Sequence, residues 1–387
     1  MVHVYKAFTD ANAGGVARSI AALAAGMRGH PVDHCLYTLS PEGPWARDLS
    51  EINLSVQAGR RTGVVFSTDF SMSARRGFAG FVQHADLVHY HLPWPFVHIL
   101  DTVVPRSTPR VATYHADITR NPVLCSLYEP LMRRFLRRLD AVIATSTVTR
   151  ETSESLQSLP PHKVHVAELG LDLDEREVHT ERQVSPLTDR VGEGFMLFVG
   201  VTRYYKGVQY AIEALRYADT RLVIAGEAPN QSALMRIARD AGVADRVIFL
   251  GRVSEVDKWA LLKRCRALVL PSILRAEGFG LVLVEAAAAA RPSITCELGT
   301  GTSQVVVDDH TGLVVAPADP MALAQAMQRL ADDPALAQRF GKAGRARYQQ
   351  YFTARRYAER VKTIYDRVLG VPAAASDASL HPEEAAL

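Results

Sequence analysis

Residues 195–227 read FMLFVGVTRYYKGVQYAIEALRYADTRLVIAGE, and this stretch decides the fold. Phe195–Gly200 is a short apolar run that ends in glycine, Gly207–Leu215 reads as a helix, and Arg221–Ala225 is a second apolar run ahead of Gly226. Apolar runs of this length joined by a helix make a βαβ unit, whose parallel strands are buried on both faces. The alternation continues C-terminally. Strands are expected at Arg246–Leu250, Ala267–Leu270, Ser293–Thr295 and Gly312–Val315, with helices at Ser232–Ala241, Lys258–Arg264 and Leu281–Ala290. It is repeated N-terminally, with strands at Val2–Phe8, Asp33–Leu39, Leu87–His91, Arg110–Tyr114 and Ala141–Thr145, a helix near Val16–Met27 and another ending at Arg133–Leu139. A polar, acidic segment at Asp174–Val191 separates the two series.

Two such series predict an α/β protein of two doubly wound, Rossmann-like domains facing a central cleft. The expected divisions are 1–182, 190–350, a helix over 351–370 and a disordered tail at 371–387, whose small, acidic and proline-bearing residues offer no core. The length of 387 residues suits two domains. Composition is that of a globular protein, 48% apolar and 22% charged, and a formal charge of +3 gives no argument for nucleic acid. MVHVYKAF has no basic segment followed by an apolar core, and no run approaches a membrane span, so a cytoplasmic location is expected. Cys35, Cys125, Cys265 and Cys296 lie far apart, without zinc or redox spacing, and read as buried free thiols.

The chemistry concentrates at the carboxyl ends of the expected strands. Residues 271–291, PSILRAEGFGLVLVEAAAAAR, put Glu277 in a loop and Glu285 on the second turn of the helix that follows Gly278-Phe279-Gly280, with Pro292 behind it. A helix N-terminus carries unpaired N–H groups and about half a positive charge, so it favours a phosphate. Carboxylates beside it suit hydroxyls on either side of that phosphate, and hydroxyls flanking a diphosphate describe a nucleotide-sugar. Arg203 and Lys206 precede another helix, where cations oppose the macrodipole unless an anion sits between them; a solvated basic turn is the other reading. Gly14-Gly15 opens the first helix and lets backbone approach a ligand, or simply makes a tight turn.

His115 follows an apolar strand and reads equally as a site residue or a structural one. The stretch His89–Pro95, HYHLPWP, either lines an acceptor pocket with His91 and Trp94 or packs Trp94 into the core; Asp117 is grouped with them on the acceptor side. His89 and His91 share one strand face, but no third ligand is evident and no metal is expected. Arg133, Arg134, Arg137 and Arg138 border an apolar helix face, which suits an anionic membrane surface or, more simply, a helix whose stripe faces the core.

Together these residues resemble a retaining glycosyltransferase of the GT-B class, family 4. The resemblance is carried by Gly14-Gly15, His115, Arg203 with Lys206-Gly207, Ala225-Gly226-Glu227, Pro271-Ser272, Glu277 to Glu285 and Thr311–Val315, in family order over roughly residues 1–370. It implies that Glu277 contacts hydroxyls of the donor sugar, that Glu285 holds the ribose and that Arg203 and Lys206 neutralise the diphosphate. It also implies that His115 lines the sugar pocket, that backbone near Gly251, Arg252 and Val253 meets the base, and that Gly14-Gly15 and the Gly278–Leu281 turn approach the donor. The family needs no metal and no further cofactor, and the helix over 351–370 commonly crosses back to the first domain.

One departure is TGTSQ at 300–304, which puts Gln304 near a usually acidic position. The stretches ELGTGTS, HLPWPF and TYHADI are similar to those of bacterial O-antigen mannosyl- and rhamnosyltransferases. That likeness implies a GDP-sugar in preference to a UDP-sugar, and a polyprenyl-diphosphate-linked saccharide acceptor at the inner face of the cytoplasmic membrane. A sugar-nucleotide epimerase and a non-catalytic nucleotide-sugar-binding protein are the alternatives.

Overall fold

The computed structural model describes residues 1–8, 14–65, 68–118, 122–173 and 186–372. The expected loop at Asp10–Ala13, most of the acidic segment (174–185) and the tail beyond Pro372 lie outside the described residues.

Among the described residues the chain forms two large sheets. The second has six strands, all parallel, in the order Val247–Gly251, Leu222–Ala225, Met196–Val199, Ala267–Leu270, Ser293–Cys296 and Gly312–Val315. The strands expected in this sheet all form, within one residue of the expected limits, whereas the first strand of the other sheet, expected over Val2–Phe8, is only Val2–Val4. The first sheet has eight strands, in the order Val164–Val166, Ala141–Ala144, Arg110–Tyr114, Val88–Leu92, Val2–Val4, His34–Ser40, Leu54–Arg60 and Trp45–Leu49, the last pairing antiparallel. Two Rossmann-like domains with parallel-sheet cores result.

The strands missed from the sequence lie mostly at edges. Leu54–Arg60 alternates buried Leu54, Val56 and Ala58 with more exposed Ser55, Gln57 and Gly59, a period of two that marks a half-buried strand. Its partner Trp45–Leu49 is largely exposed and polar. Two late helices, Pro320–Asp332 and Pro334–Tyr351, each begin with proline behind an aspartate whose side chain accepts from the first-turn amides.

The helix expected to run to Ala290 is assigned Leu281–Ala288. Ala290 turns left-handed, at φ 54°, and the Arg291 amide donates to Ala286 O. This closes the helix before Pro292 and lets the Pro334–Tyr351 helix approach at Gly341. Helix Ala354–Leu369 packs on helix Gly15–Gly26, and its Tyr365 hydroxyl meets His89 in the first sheet. No helix among the described residues is long and apolar enough to cross a membrane. Cys35, Cys265 and Cys296 are free thiols, Cys35 only partly buried.

Candidate functional site

The carboxyl ends of both sheets face each other across the N-terminus of helix Leu281–Ala288. Gly278 lies against the first sheet so closely that a Cβ there would stand 1.8 Å from His115 O, a contact only glycine allows. Gly15 faces Leu281 from the opposite wall, where an added Cβ would be 3.6 Å from Leu281 Cδ1. The loop carrying Arg203 and Lys206 is joined to the strand-end at Pro271–Ile273: the Ile273 amide donates to Tyr205 O (2.8 Å), and Gly207, at φ 66°, packs on Pro271 O.

Glu277 is buried and accepts through Oε2 from Lys206 Nζ and from Ser272 Oγ (3.0 Å), while Thr300 Oγ1 donates to its carbonyl (2.8 Å). Burial alone lowers the Lys206 ammonium pKa, but Glu277 more than reverses that and the net shift is upward. Glu285 is 1% exposed, and its Oε1 meets Arg18 from the first wall and Lys258 from the neighbouring helix, each at 2.5 Å. Burial raises its pKa, the two cations lower it further, and Glu285 stays ionised. Both cations hold the same oxygen.

Arg18 and Lys258 were not singled out in the sequence. Arg18 could have been: it stands in the first turn of a helix, where a cation opposes the macrodipole just as Arg203 does. Lys258, 5% exposed, could be read only as a buried charge in need of a partner. Lys6, after the first strand, is another cation facing the cleft. Its pKa is lowered by burial and by Arg203, against an opposing pull from Asp69.

At the base-binding end expected from the resemblance, exposed Arg252 pairs with Glu227, and Val253 packs partly against the second core. Gln304, given no role from sequence, ties the two halves of the chain. Its Oε1 accepts from the Thr147 amide (2.8 Å) and its Nε2 donates to Glu168 (3.0 Å). A glutamate there could accept but not donate.

The three residues expected on the acceptor side all have partners within the protein. His91 and Trp94 are fully buried. The strand runs to Leu92, so His91 still points inward, and the proline turn folds Trp94 back until its indole N–H donates to Asp69 O (2.8 Å). Asp117 accepts from Tyr114 Oη (2.9 Å), Ser153 Oγ (2.7 Å) and Arg275 Nε (2.7 Å), so it clamps the Arg275 loop to the first sheet.

His115 is buried, and its Nε2 lies 3.0 Å from His91 Nδ1. Burial pushes its pKa down to about 3, so it is neutral at physiological pH. The sequence offered no third ligand beside His89 and His91; the fold supplies His3, and these three rings bring one nitrogen each within 4.8 Å of one another. Those nitrogens already have partners. His89 lies between Tyr365 Oη (2.5 Å) and Thr113 Oγ1 (2.7 Å), and His3 and His91 bond to each other (3.1 Å). Two surface recesses of the second sheet, about 420 and 440 Å³, open beside Arg266 and Arg291 at the amino ends of the strands, away from this set.

Comparison with known proteins agrees with this geometry. Residues 13–175 match the family described as Glycosyltransferase Family 4, and residues 180–347 match Glycosyl transferases group 1. D-rhamnosyltransferase WbpZ of Pseudomonas aeruginosa is 38% identical over 356 residues, 92% of each chain. O-antigen chain mannosyltransferase C of Escherichia coli is 33% identical over 372 residues, 95% of this chain and 98% of its own. Among solved structures, sucrose-phosphate synthase from Thermosynechococcus elongatus superposes with a TM-score of 0.77 at 20% identity, covering 96% of this chain and 99% of its own. Anabaena HepE in complex with UDP and glucose gives 0.73 at 15% identity, over 95% and 99%.

Proposed function

The chain belongs to glycosyltransferase family 4 and has the GT-B fold, and we propose that it moves a mannose or rhamnose from a GDP-sugar, with retention and without a metal, to a saccharide on a polyprenyl diphosphate. We take residues 1–182 as the acceptor-side domain, 190–350 as the donor domain and 351–370 as a helix returning to the first. The sugar choice is supported by the two full-length relatives, a rhamnosyl- and a mannosyltransferase. A nucleotide-sugar donor, though not its base, is supported by HepE, whose structure holds UDP.

The observation that carries the reading is that the Glu277–Lys206 pair and buried Glu285 flank the start of the Leu281 helix, where Gly15 and His115 approach from the first domain. The donor diphosphate lies on the helix end between Arg203 and Lys206. Those charges take the departing phosphate's developing negative charge, the role a metal has elsewhere. Lys206 reaches it by exchanging the Glu277 carboxylate for phosphate oxygen, which frees Glu277 to accept from sugar hydroxyls. Glu285 Oε2 accepts from the ribose, and backbone at Gly251, Arg252 and Val253 meets the base. In front-face substitution the bond from the anomeric carbon to phosphate breaks on the side where the acceptor oxygen arrives. The acceptor's proton passes to the departing phosphate oxygen, so no protein base is needed.

The basic helix Pro122–Arg138 turns Met132, Phe135 and Leu136 inward and leaves Leu127, Leu131, Arg134, Arg137 and Arg138 outside. That mixed outer stripe supports peripheral contact with an anionic membrane carrying the acceptor.

A thermal-shift series with GDP-mannose, GDP-rhamnose, UDP-glucose and dTDP-rhamnose tests the donor, because a ligand of the folded state raises the melting temperature by mass action. The GDP-sugars are expected to stand out; equal responses to GDP- and UDP-sugars overturn the GDP assignment. Donor incubated alone should give no isomer, which separates transfer from epimerisation.

A further inference from the structure

The first sheet holds a line of imidazoles that the transfer reaction does not call for. His3 lies opposite His89 in register on adjacent parallel strands, and His91 lies opposite Thr113, ahead of His115. Their rings meet in sequence. His34 Nδ1 is 2.8 Å from His3 Nε2, His3 Nδ1 is 3.1 Å from His91 Nε2, and His91 Nδ1 is 3.0 Å from His115 Nε2. All four rings are buried, His115 the most exposed at 6%.

Burial keeps each ring neutral, and a neutral imidazole carries one N–H and one lone pair. Three bonds among four such rings can all form only if every N–H points the same way along the line. Two arrangements exist. With all protons on Nε2, the line ends in an N–H at His34 Nε2, and His115 Nδ1 is a bare lone pair. With all protons on Nδ1, His34 Nε2 is a bare lone pair and His115 presents Nδ1–H.

The far end decides between them. His34 Nε2 is buried and has no partner among the described residues. An orphaned buried N–H is rarer in proteins than an under-used acceptor. A lone pair at His34 Nε2 is therefore the favoured end of the line.

We propose that His34, His3 and His91 are positioning residues that fix His115 as a neutral hydrogen-bond donor, with Nδ1–H its remaining contact for a sugar hydroxyl. This rests on the reading of His115 as a wall of the donor-sugar pocket. To act as a base toward the acceptor, His115 would need all four rings to change tautomer together. The line instead holds it as a fixed dipole beside the reacting sugar.

The test is ¹⁵N-histidine NMR of the full chain, with each ring assigned through its single substitution. All four rings are expected to show a pyrrole-type Nδ1 and a pyridine-type Nε2. A protonated Nε2 at His115, mixed tautomers, or a stoichiometric metal on His3, His89 and His91 in the purified protein overturns the proposal. Kinetics supply a second readout. His34→Leu removes the donor to His3 and is expected to lower kcat/KM about fivefold, the worth of one hydrogen bond. His34→Asn, whose amide can donate in its place, is expected to restore it, and His34→Leu should add nothing in a His115→Ala background. Equal losses in both backgrounds overturn the positioning role. If the tautomers are as expected while His115→Ala leaves turnover unchanged, the sugar-pocket reading of His115 fails and the uniform tautomer line stands.

Discussion

The two walls of the cleft reach the same place by opposite electrostatics. The second-sheet wall is built of formal charge: Lys206 with Glu277, Lys258 with Glu285, and Arg252 with Glu227. The first-sheet wall, behind Gly15 and Arg18, is built of buried rings that avoid charge, His3, His34, His89, His91 and His115. A wall that must hold a diphosphate needs cations that carboxylates keep in place until the ligand arrives. A wall that only shapes the sugar pocket can use neutral donors, whose protons are assigned by their neighbours.

Acid separates the walls most strongly. Burial depresses His89 and His115 from 6.5 to about 3 and His34 to about 4, and, with help from neighbouring imidazoles, holds His3 and His91 well below 6.5. Below 6.5 the unfolded chain takes up protons that these rings refuse when folded. Their contribution is therefore complete above about 6.5 and lost as pH falls toward 3. Among the described residues, the N-terminal ammonium bears on His34 and His3, and the neutral Tyr365 hydroxyl meets His89. Glu285, with its pKa lowered, loses its contribution only below the ordinary carboxylate range. Urea midpoints are expected to fall steeply between pH 6.5 and 4; a midpoint flat to pH 5 would contradict the neutral line.

On the charged wall, Glu285→Gln leaves buried Lys258 with only the exposed Glu255 carboxylate and takes the carboxylate from Arg18. It should cost about 3 kcal/mol, seen as a lower urea midpoint at pH 7. The corresponding change on the neutral wall, His89→Gln, keeps a donor and an acceptor between Tyr365 and Thr113 and should cost less. A larger loss from His89→Gln would reverse the comparison.

At the seam, Gln304→Glu sets a second carboxylate against Glu168. It should cost about 1–2 kcal/mol and raise the donor KM, with an unchanged melting temperature as the contrary result. Smallest is the outer stripe: Arg134→Ala should weaken binding to anionic vesicles about fivefold, near 1 kcal/mol. No change in cosedimentation removes the membrane contact.

The charged wall was largely legible because its chemistry is local. Glu277 and Glu285 flank one helix start, and Arg203 and Lys206 flank another, so spacing alone exposes the conflict a ligand resolves. The neutral wall was not. His3, His34, His91 and His115 come from separate segments, and only the strand order of the first sheet brings them into line. For Trp94 the sequence left core and pocket equally open, and the fold puts it in the core. Arg18 was missed although its position carried the same helix-end signal as Arg203.

The central claim is that Lys206 and Glu277 hold the donor's diphosphate and sugar. Steady-state turnover of a GDP-sugar onto a polyprenyl-diphosphate saccharide, by the wild type, Lys206→Ala and Glu277→Ala, tests it most directly. Each single change should lower kcat about 10²–10³-fold, and the double change should cost little more than either alone. Turnover within twofold of wild type in either variant would contradict the assignment.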